Sequence, residues 1–199
     1  MSTDTIEILR KALAVGGSGS SDFDLNPDVE LPENRKLRDA AVLVPVTTFN
    51  GQAEVILTKR ASSLKHHPGQ VAFPGGKQDK TDTNLAQTAL REAWEEIALP
   101  PENVTILGEL SRHETITGFN VTPILAHVEQ PFDAVAEVGE VDEIFSVPLD
   151  HLLRPDRFVV QYRYWQGVKR KYYAVPYGPY YIWGATARIL RALADRVAS

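Results

Sequence analysis

Cysteine is absent from this 199-residue chain, which excludes a disulfide framework, a thiolate metal site and a cysteine nucleophile. Also missing is any apolar run near the roughly 18 residues that span a bilayer, so no membrane partner is expected. The opening MSTDTIEILRKAL lacks the basic-then-apolar order of a secretory signal, and the expected location is the cytoplasm. There is no basic excess: the formal net charge is −5. Binding to nucleic acid by bulk charge calls for a basic stripe or surplus, so no nucleic-acid partner is expected either. What remains is a chain of one domain's length, large enough to bury roughly 70% of its unfolded surface.

The N-terminal 38 residues read as an appended arm: a short amphipathic helix over 5–14, then the flexible Gly/Ser stretch GGSGSSDFD (16–24) and an acidic, turn-like passage through Leu31–Pro32. Residues 39–199 read as the folded domain. AAVLVPVTTF (40–49) and AEVILTKR (53–60) predict two strands joined at Asn50–Gly51. VAFPGG (71–76) predicts a short strand ended by a Gly-Gly turn. A helix follows over 84–98, with Ala86, Leu90, Ala93, Trp94 and Ile97 on one apolar stripe. Strands are expected at 104–110, 121–129 and 143–149, and a hairpin from 158–165 and 169–177 turning near Gln166–Gly167. A last helix over about 179–197 carries Ile182, Trp183, Ala187, Ile189, Leu190 and Leu193. Mixed strands with one central and one terminal helix predict an α/β sandwich around a mixed sheet.

The chemistry lies in ArgGluAlaTrpGluGlu (91–96). Glu92, Glu95 and Glu96 occupy a sector of about 100° on the helix, opposite the apolar stripe. Like charges at i,i+3 and i,i+4 cost a few tenths of a kcal/mol each, so the triplet is either a solvated face or a ligand set. Carboxylate oxygens suit Mg²⁺ or Mn²⁺, and such ions neutralise phosphate charge and activate water. Upstream, Gly75 and Gly76 would let backbone amides approach a phosphate closely.

In order, Gly76, an acidic loop, Arg91–Glu92 and Glu95–Glu96 resemble the box of the Nudix hydrolases. That resemblance implies a Nudix-type α/β/α sandwich, a metal-dependent pyrophosphohydrolase, and Glu92, Glu95 and Glu96 as its metal ligands. Two positions depart from the box. Fourteen residues, not thirteen, separate Gly76 from Arg91, and the box's first glutamate aligns with Thr83 beside Asp82; Asp82 or Asp79 is left to serve Arg91. The late glycine is Ala98, so the helix is expected to end without a positive-φ glycine cap, stopped by Pro100–Pro101.

Ile56 to Lys65 (ILTKRASSLK), leading through Gly69 to Phe73-Pro74-Gly75-Gly76, looks like the signature of coenzyme A pyrophosphatases, as does Trp183-Gly184-Ala185-Thr186-Ala187. This implies coenzyme A or a derivative as the small-molecule substrate, cut to 3′,5′-ADP and 4′-phosphopantetheine. Other nucleoside diphosphate derivatives such as ADP-ribose or NADH, or nucleotide binding without cleavage, are the alternatives. Lys59, Arg60, Lys65, His66 and His67 concentrate positive charge before the glycines. Arg60, helped by Lys59 or Lys65, is expected to bind substrate by its 3′-phosphate, with Gly75 and Gly76 against the phosphates. Nudix sites often add a carboxylate from a distant loop; of Glu137, Glu140, Asp142 and Glu143, the expected one is Glu140. The aromatic series from Tyr162 to Tyr181 reads as sheet packing or a homodimer surface.

Overall fold

A computed structural model describes residues 2–29, 35–49, 51–165 and 167–199. The elements are α1 (Ser2–Ala14), β1 (Ser20–Ser21), β2 (Arg38–Thr47), β3 (Glu54–Arg60), β4 (Val71–Ala72), β5 (Gly75–Lys77), α2 (Leu85–Ile97), β6 (Val104–Glu109), β7 (His113–Glu114), β8 (Phe119–Val128), β9 (Val141–Pro148), α3 (Leu149–Leu152), β10 (Val159–Trp165), β11 (Val168–Ala174) and α4 (Gly184–Ala198). The turn residues Asn50 and Gln166, and Leu31–Pro32, lie outside the described residues.

Alternation along the strands divides the core in two. Ala41 and Leu43 of β2, Ile56 of β3 and Ile124, Ala126 and Val128 of β8 pack with Ala89, Ala93 and Ile97 of α2. Their neighbours Val44, Val46, Val55, Leu57 and Leu125 pack with α1 and α4 on the opposite face. Successive strand residues point to opposite faces, so apolar residues at adjacent positions require a covered sheet on both sides. The result is an α/β/α sandwich. Its sheet is mixed: β2 and β8 are parallel over nine residue pairs, Arg38↔Phe119 to Val46↔His127, while β3, β5 and β6 run antiparallel to their neighbours. Among the described residues no helix is long and apolar enough to cross a membrane.

The sheet is split where the chemistry is expected. β2 and β3 pair only at Val46↔Val55 and Thr47↔Glu54. Beyond that they part, and the segment 71–77 fills the gap, with β4 bonded to β3 and β5 bonded to β2. The expected Gly-Gly turn is therefore corrected: Gly75 and Gly76 are extended, opposite Val42 and Ala41. The backbone reverses earlier, where the Leu43 amide donates to Pro74 O at 2.8 Å.

Other corrections concern ends and surfaces. The last helix begins at Gly184, not near 179. Val175 N–H donates to Ile182 O and Tyr177 exchanges bonds with Tyr180, so Ile182 is buried on an extended segment and Trp183 is the N-cap. Trp94 is 52% exposed; Ala89 takes its place on the buried stripe. The stretch expected to be flexible contains β1, which pairs with β7, and Asp22 accepts from Ile116 N at 2.8 Å. α1 starts three residues before the expected Thr5, and its Leu9 and Ala12 are buried against α4. The arm is thus part of one core.

Helix α2 has Asn84 as its N-cap, whose side chain accepts from Gln87 N at 2.8 Å. Its C-terminus overturns the expected lack of a positive-φ cap. Ala98 itself takes the left-handed conformation, φ 55 and ψ 32, and its N–H donates to Trp94 O at 3.0 Å, the 5→1 bond of an αL cap.

Two substitutions test these points. Ala98→Gly removes the Cβ that costs about 1–2 kcal/mol in this region, offset by glycine's unfolded-state entropy of about 0.4–1 kcal/mol; the thermal midpoint should rise by about 1–3 °C. Leu9→Ala should destabilise the fold by roughly 2–5 kcal/mol in a single denaturation transition, whereas a loosely attached arm would leave the midpoint unmoved.

Candidate active site

The two glycines set the distance between strand and helix. A Cβ on Gly76 would lie 2.6 Å from the Glu92 carboxylate, and one on Gly75 would lie 2.5 Å from Ala41 O. Without those atoms α2 packs close enough for the Gly75 amide to donate to Glu96 Oε2, at 3.4 Å. Glu96 is only 4% exposed. It was expected on a polar face opposite the apolar stripe; it lies beside Ala93 and Ile97 instead, shut in by the split sheet.

Burial pushes the Glu96 carboxyl up to about 8, helped by the negative charge of Glu92 and opposed by Arg60. Glu92 also shifts upward, chiefly by burial, with Arg91 opposing. Glu140 adds its charge to both. So Glu92, Glu96, Glu140 and Arg60 stand within each other's fields. Glu140 arrives by a definite route. Val135 N and Glu137 N donate to the last carbonyls of α2, Ile97 O and Glu96 O, at 3.3 and 3.0 Å, and Ala61 N donates to Glu140 O at 2.8 Å. Of the other loop acids, Asp142 accepts from Ser62 N and Glu143 from the Tyr180 hydroxyl.

Glu95 is turned away. It is 53% exposed and accepts from Arg91 NH1 at 2.9 Å. Arg91 does not face the open site: it forks onto Asp82 through Nε and NH2 at 3.1 and 3.0 Å, touches Glu92 at 2.9 Å and donates to Lys77 O. The choice between Asp82 and Asp79 falls to Asp82, 3% exposed, with Asp79 at 3.9 Å. The Arg91 fork holds Asp82 down at about 2. Arg91 is therefore a positioning residue, pinning the loop before α2 to the helix.

Among the described residues no three His, Asp or Glu side chains are grouped so that they could together hold a metal ion. The donor set nevertheless fits a hard cation: the ligating atoms are carboxylate oxygens, and buried Glu96 has one long amide bond to offset its charge. A divalent cation between Glu92 and Glu96 would remove both the burial cost and their mutual repulsion. Glu95 would join by releasing Arg91.

On the basic side, Arg60 ends β3 at a bulge between Lys59 and Arg60, and its charge acts on Glu96. Lys59 is half-buried, while Lys65 and His66 are exposed on the following loop. His67 has φ 53 and is shifted downward by burial, then by Arg60 and Arg163. Arg163 was missed in the sequence, as was Arg170 directly opposite it on β11; counting outward from the Gln166–Gly167 bond would have paired them. Tyr180 stacks on Phe145 at 3.6 Å, the packing role expected of the tyrosines. A cavity of about 420 Å³ lined by Thr47, Phe49, Ile56, Phe132 and Phe145 includes none of the candidate glutamates.

A split mixed sheet with an acidic helix packed against its glycines has counterparts among known proteins. The family profile of the NUDIX domain matches residues 36–166. A protein described as an uncharacterized Nudix hydrolase, NudL, of Enterobacter sp. (strain 638) is 43% identical over 160 residues, 80% of this chain and 83% of the relative. One described in the same words from Citrobacter koseri is 40% identical over 173 residues, 87% and 89% of the two chains. This chain belongs to the Nudix hydrolase family. Its fold is also that of a MutT/nudix family protein from Enterococcus faecalis, with TM-score 0.51 and 19% identity over 86% of this chain and 66% of that one. A MutT protein from Methanosarcina mazei Go1 gives 0.50 and 18% over 84% and 96%.

The raised Glu96 carboxyl makes stability depend on pH. Below the unfolded value near 4.5 both states are protonated and burial costs nothing. As pH rises towards about 8 the unfolded state ionises first, so the protein in chelator loses stability across that window. Glu96→Gln should abolish the loss, making the variant more stable at pH 8–9 by on the order of 2–4 kcal/mol and equal to the parent at pH 4. Equal denaturation midpoints at pH 9 would mean that Glu96 is not buried as an acid.

Proposed function

We propose that this Nudix hydrolase cleaves the diphosphate of coenzyme A or its derivatives, giving 3′,5′-ADP and 4′-phosphopantetheine. The observation that carries the reading is Arg60, from the segment resembling the coenzyme A pyrophosphatase signature, whose positive charge acts on buried Glu96. Glu92 and Glu96, joined by Glu95, are the residues that would hold Mg²⁺ or Mn²⁺. Bound there, the cation neutralises phosphate charge and lowers the pKa of the attacking water.

The chain's own residues have distinct tasks. Gly75 and Gly76, with no side chain to hold α2 off, keep the β5 backbone beside the carboxylates that meet the diphosphate. Arg60 binds a non-bridging oxygen of the diphosphate with its planar fork. Because its charge acts on Glu96, the reading gives Arg60 to the reacting diphosphate in place of the 3′-phosphate. Glu140, exposed at the rim, accepts the proton of the attacking water, whose oxygen bonds to one phosphorus as the bridging P–O bond breaks. Arg91 and Asp82 keep α2 in register with the loop before it. Lys59 and Lys65 add positive potential at the mouth.

Incubation with coenzyme A and Mg²⁺ or Mn²⁺ should give the two products by mass, and excess chelator should stop turnover. Glu96→Gln should lower the rate by at least about two orders of magnitude. Arg60→Ala should reduce kcat/KM for coenzyme A and dephospho-coenzyme A alike, each by roughly tenfold to a hundredfold. Rapid cleavage of ADP-ribose or NADH with coenzyme A left intact would refute the substrate; binding without cleavage of any of these would refute the chemistry.

A further inference from the structure

The β10–β11 hairpin carries a charge arrangement that the acidic centre does not use. Its register sets Arg163 directly opposite Arg170, with Gln161 opposite Tyr172, so these four share one face. Like charges directly opposite destabilise a strand pair. Arg163 is relieved in part by Trp183, whose ring lies 4.4 Å beneath its guanidinium. Arg170 is not: its Nε and NH1 are closed off from solvent and have no hydrogen-bond partner. Leaving a buried donor unmatched costs about 1–3 kcal/mol, more for a charged group, and native proteins rarely tolerate it without a ligand or function.

The surroundings form a floor without filling that vacancy. Trp183 packs on Tyr172 at 5.0 Å, and the Tyr172 hydroxyl meets that of Tyr181 at 3.3 Å. The opposite face of the hairpin is committed elsewhere, with Tyr173 under Arg188 and Arg191 of α4. The arginine face lies towards the active site: the charges of Arg60 and Arg163 both act on His67, and that of Arg60 acts on Glu96. Gln70, bonded to His67, lies 3.4 Å from where a Cβ on Gly184 would stand, one residue after Trp183.

We propose that Arg163 and Arg170 form a subsite for a phosphate monoester of the substrate, separate from the diphosphate at Glu92 and Glu96. The exposed Arg163 fork, with the uncompensated charge of Arg170 directly across the strand pair, suits the oxygens of a phosphate, and the aromatic floor excludes water from one side. The proposal rests on the reading of coenzyme A as substrate, because that molecule carries a 3′-phosphate beyond its diphosphate. It transfers selectivity for this phosphate from Lys59, Arg60 and Lys65 to the hairpin.

The test is calorimetric binding of 3′,5′-ADP and of 5′-AMP, which differ only in that phosphate. The parent protein should prefer 3′,5′-ADP by about tenfold to a hundredfold, the effect of one charge-assisted contact. In the double variant Arg163→Gln/Arg170→Gln the ratio of the two affinities should collapse to about threefold or less, and Arg163→Lys/Arg170→Lys should keep part of it. Arg163→Gln alone, at an exposed position, should lower the ratio even where the double variant does not fold. A ratio unchanged in Arg163→Gln and in the double variant, a parent ratio near one, or loss of the ratio in Lys65→Gln but not in Arg163→Gln would overturn the subsite. A parent protein that prefers 3′,5′-ADP yet leaves coenzyme A intact would sink the substrate reading and uphold the subsite.

Discussion

The close approach of α2 to a strand without side chains is the constraint on which the site depends. Gly75 and Gly76 lie in the gap where β2 and β3 part, and each occupies a place where a Cβ would strike Ala41 O or the Glu92 carboxylate. This contact buries Glu96 and sets Glu92 beside it. It also leaves the Gly75 amide as one of few donors to an acid that solvent no longer reaches. An interior packed at normal density has little room to relax around such a contact. The cost of two adjacent buried carboxylates is therefore held in the folded state, in the form that a cation relieves.

Much of this was legible because it is local. The period-3.6 stripe of 84–98 and the β-branched runs of 40–49 and 121–129 stand in the structure within a few residues. The order of Gly76, Arg91 and the three glutamates was enough to select the family. The misreadings share a cause, since each concerned a residue whose setting is decided by a distant segment. Gly75–Gly76 looks like a turn by composition, but β2 supplies the partners that keep it extended. Glu96 looks solvated on a helical wheel, which carries no information about the strands inserted opposite. Ala98 takes a conformation that alanine disfavours because the capping bonds to Ala93 and Trp94 and the packing of buried Leu99 outweigh roughly 1–2 kcal/mol of strain.

The N-terminal segment shows the same limit from the other side. Gly16 to Asp24 has the composition of a linker, yet Gly19 would carry a Cβ 3.2 Å from Arg112 O, and Ser20 is bonded to the buried His113 ring at 2.9 Å. Small residues are present here because the chain runs close against β7 and α4. Composition reports how much freedom a segment has when unfolded and says little about what it touches once folded. The proposed fourth carboxylate was harder still. Four acids between 137 and 143 are equivalent by sequence, and only the bonds from Val135 and Glu137 to the end of α2, with that from Ala61 to Glu140, separate them.

Charge is arranged so that chemistry and selectivity fall on different elements. The carboxylates sit on α2 and the loop that caps it, both tied into the sandwich core. The arginines sit further out, Arg60 at the bulged end of β3 and the Arg163–Arg170 pair on a two-stranded ribbon outside the main sheet. A ribbon of that kind makes few core contacts, so its side chains can change without moving Glu92 or Glu96. The acidic centre cannot vary in this way, because any enlargement at Gly76 enters the Glu92 carboxylate. In the proposed reading, a substrate diphosphate meets the fixed geometry of glycine and glutamate, and the groups attached to it meet the ribbon. Within one fold, then, the physical separation of a strained, tightly packed centre from a loosely supported basic rim would let substrate preference change while the hydrolytic step stays the same.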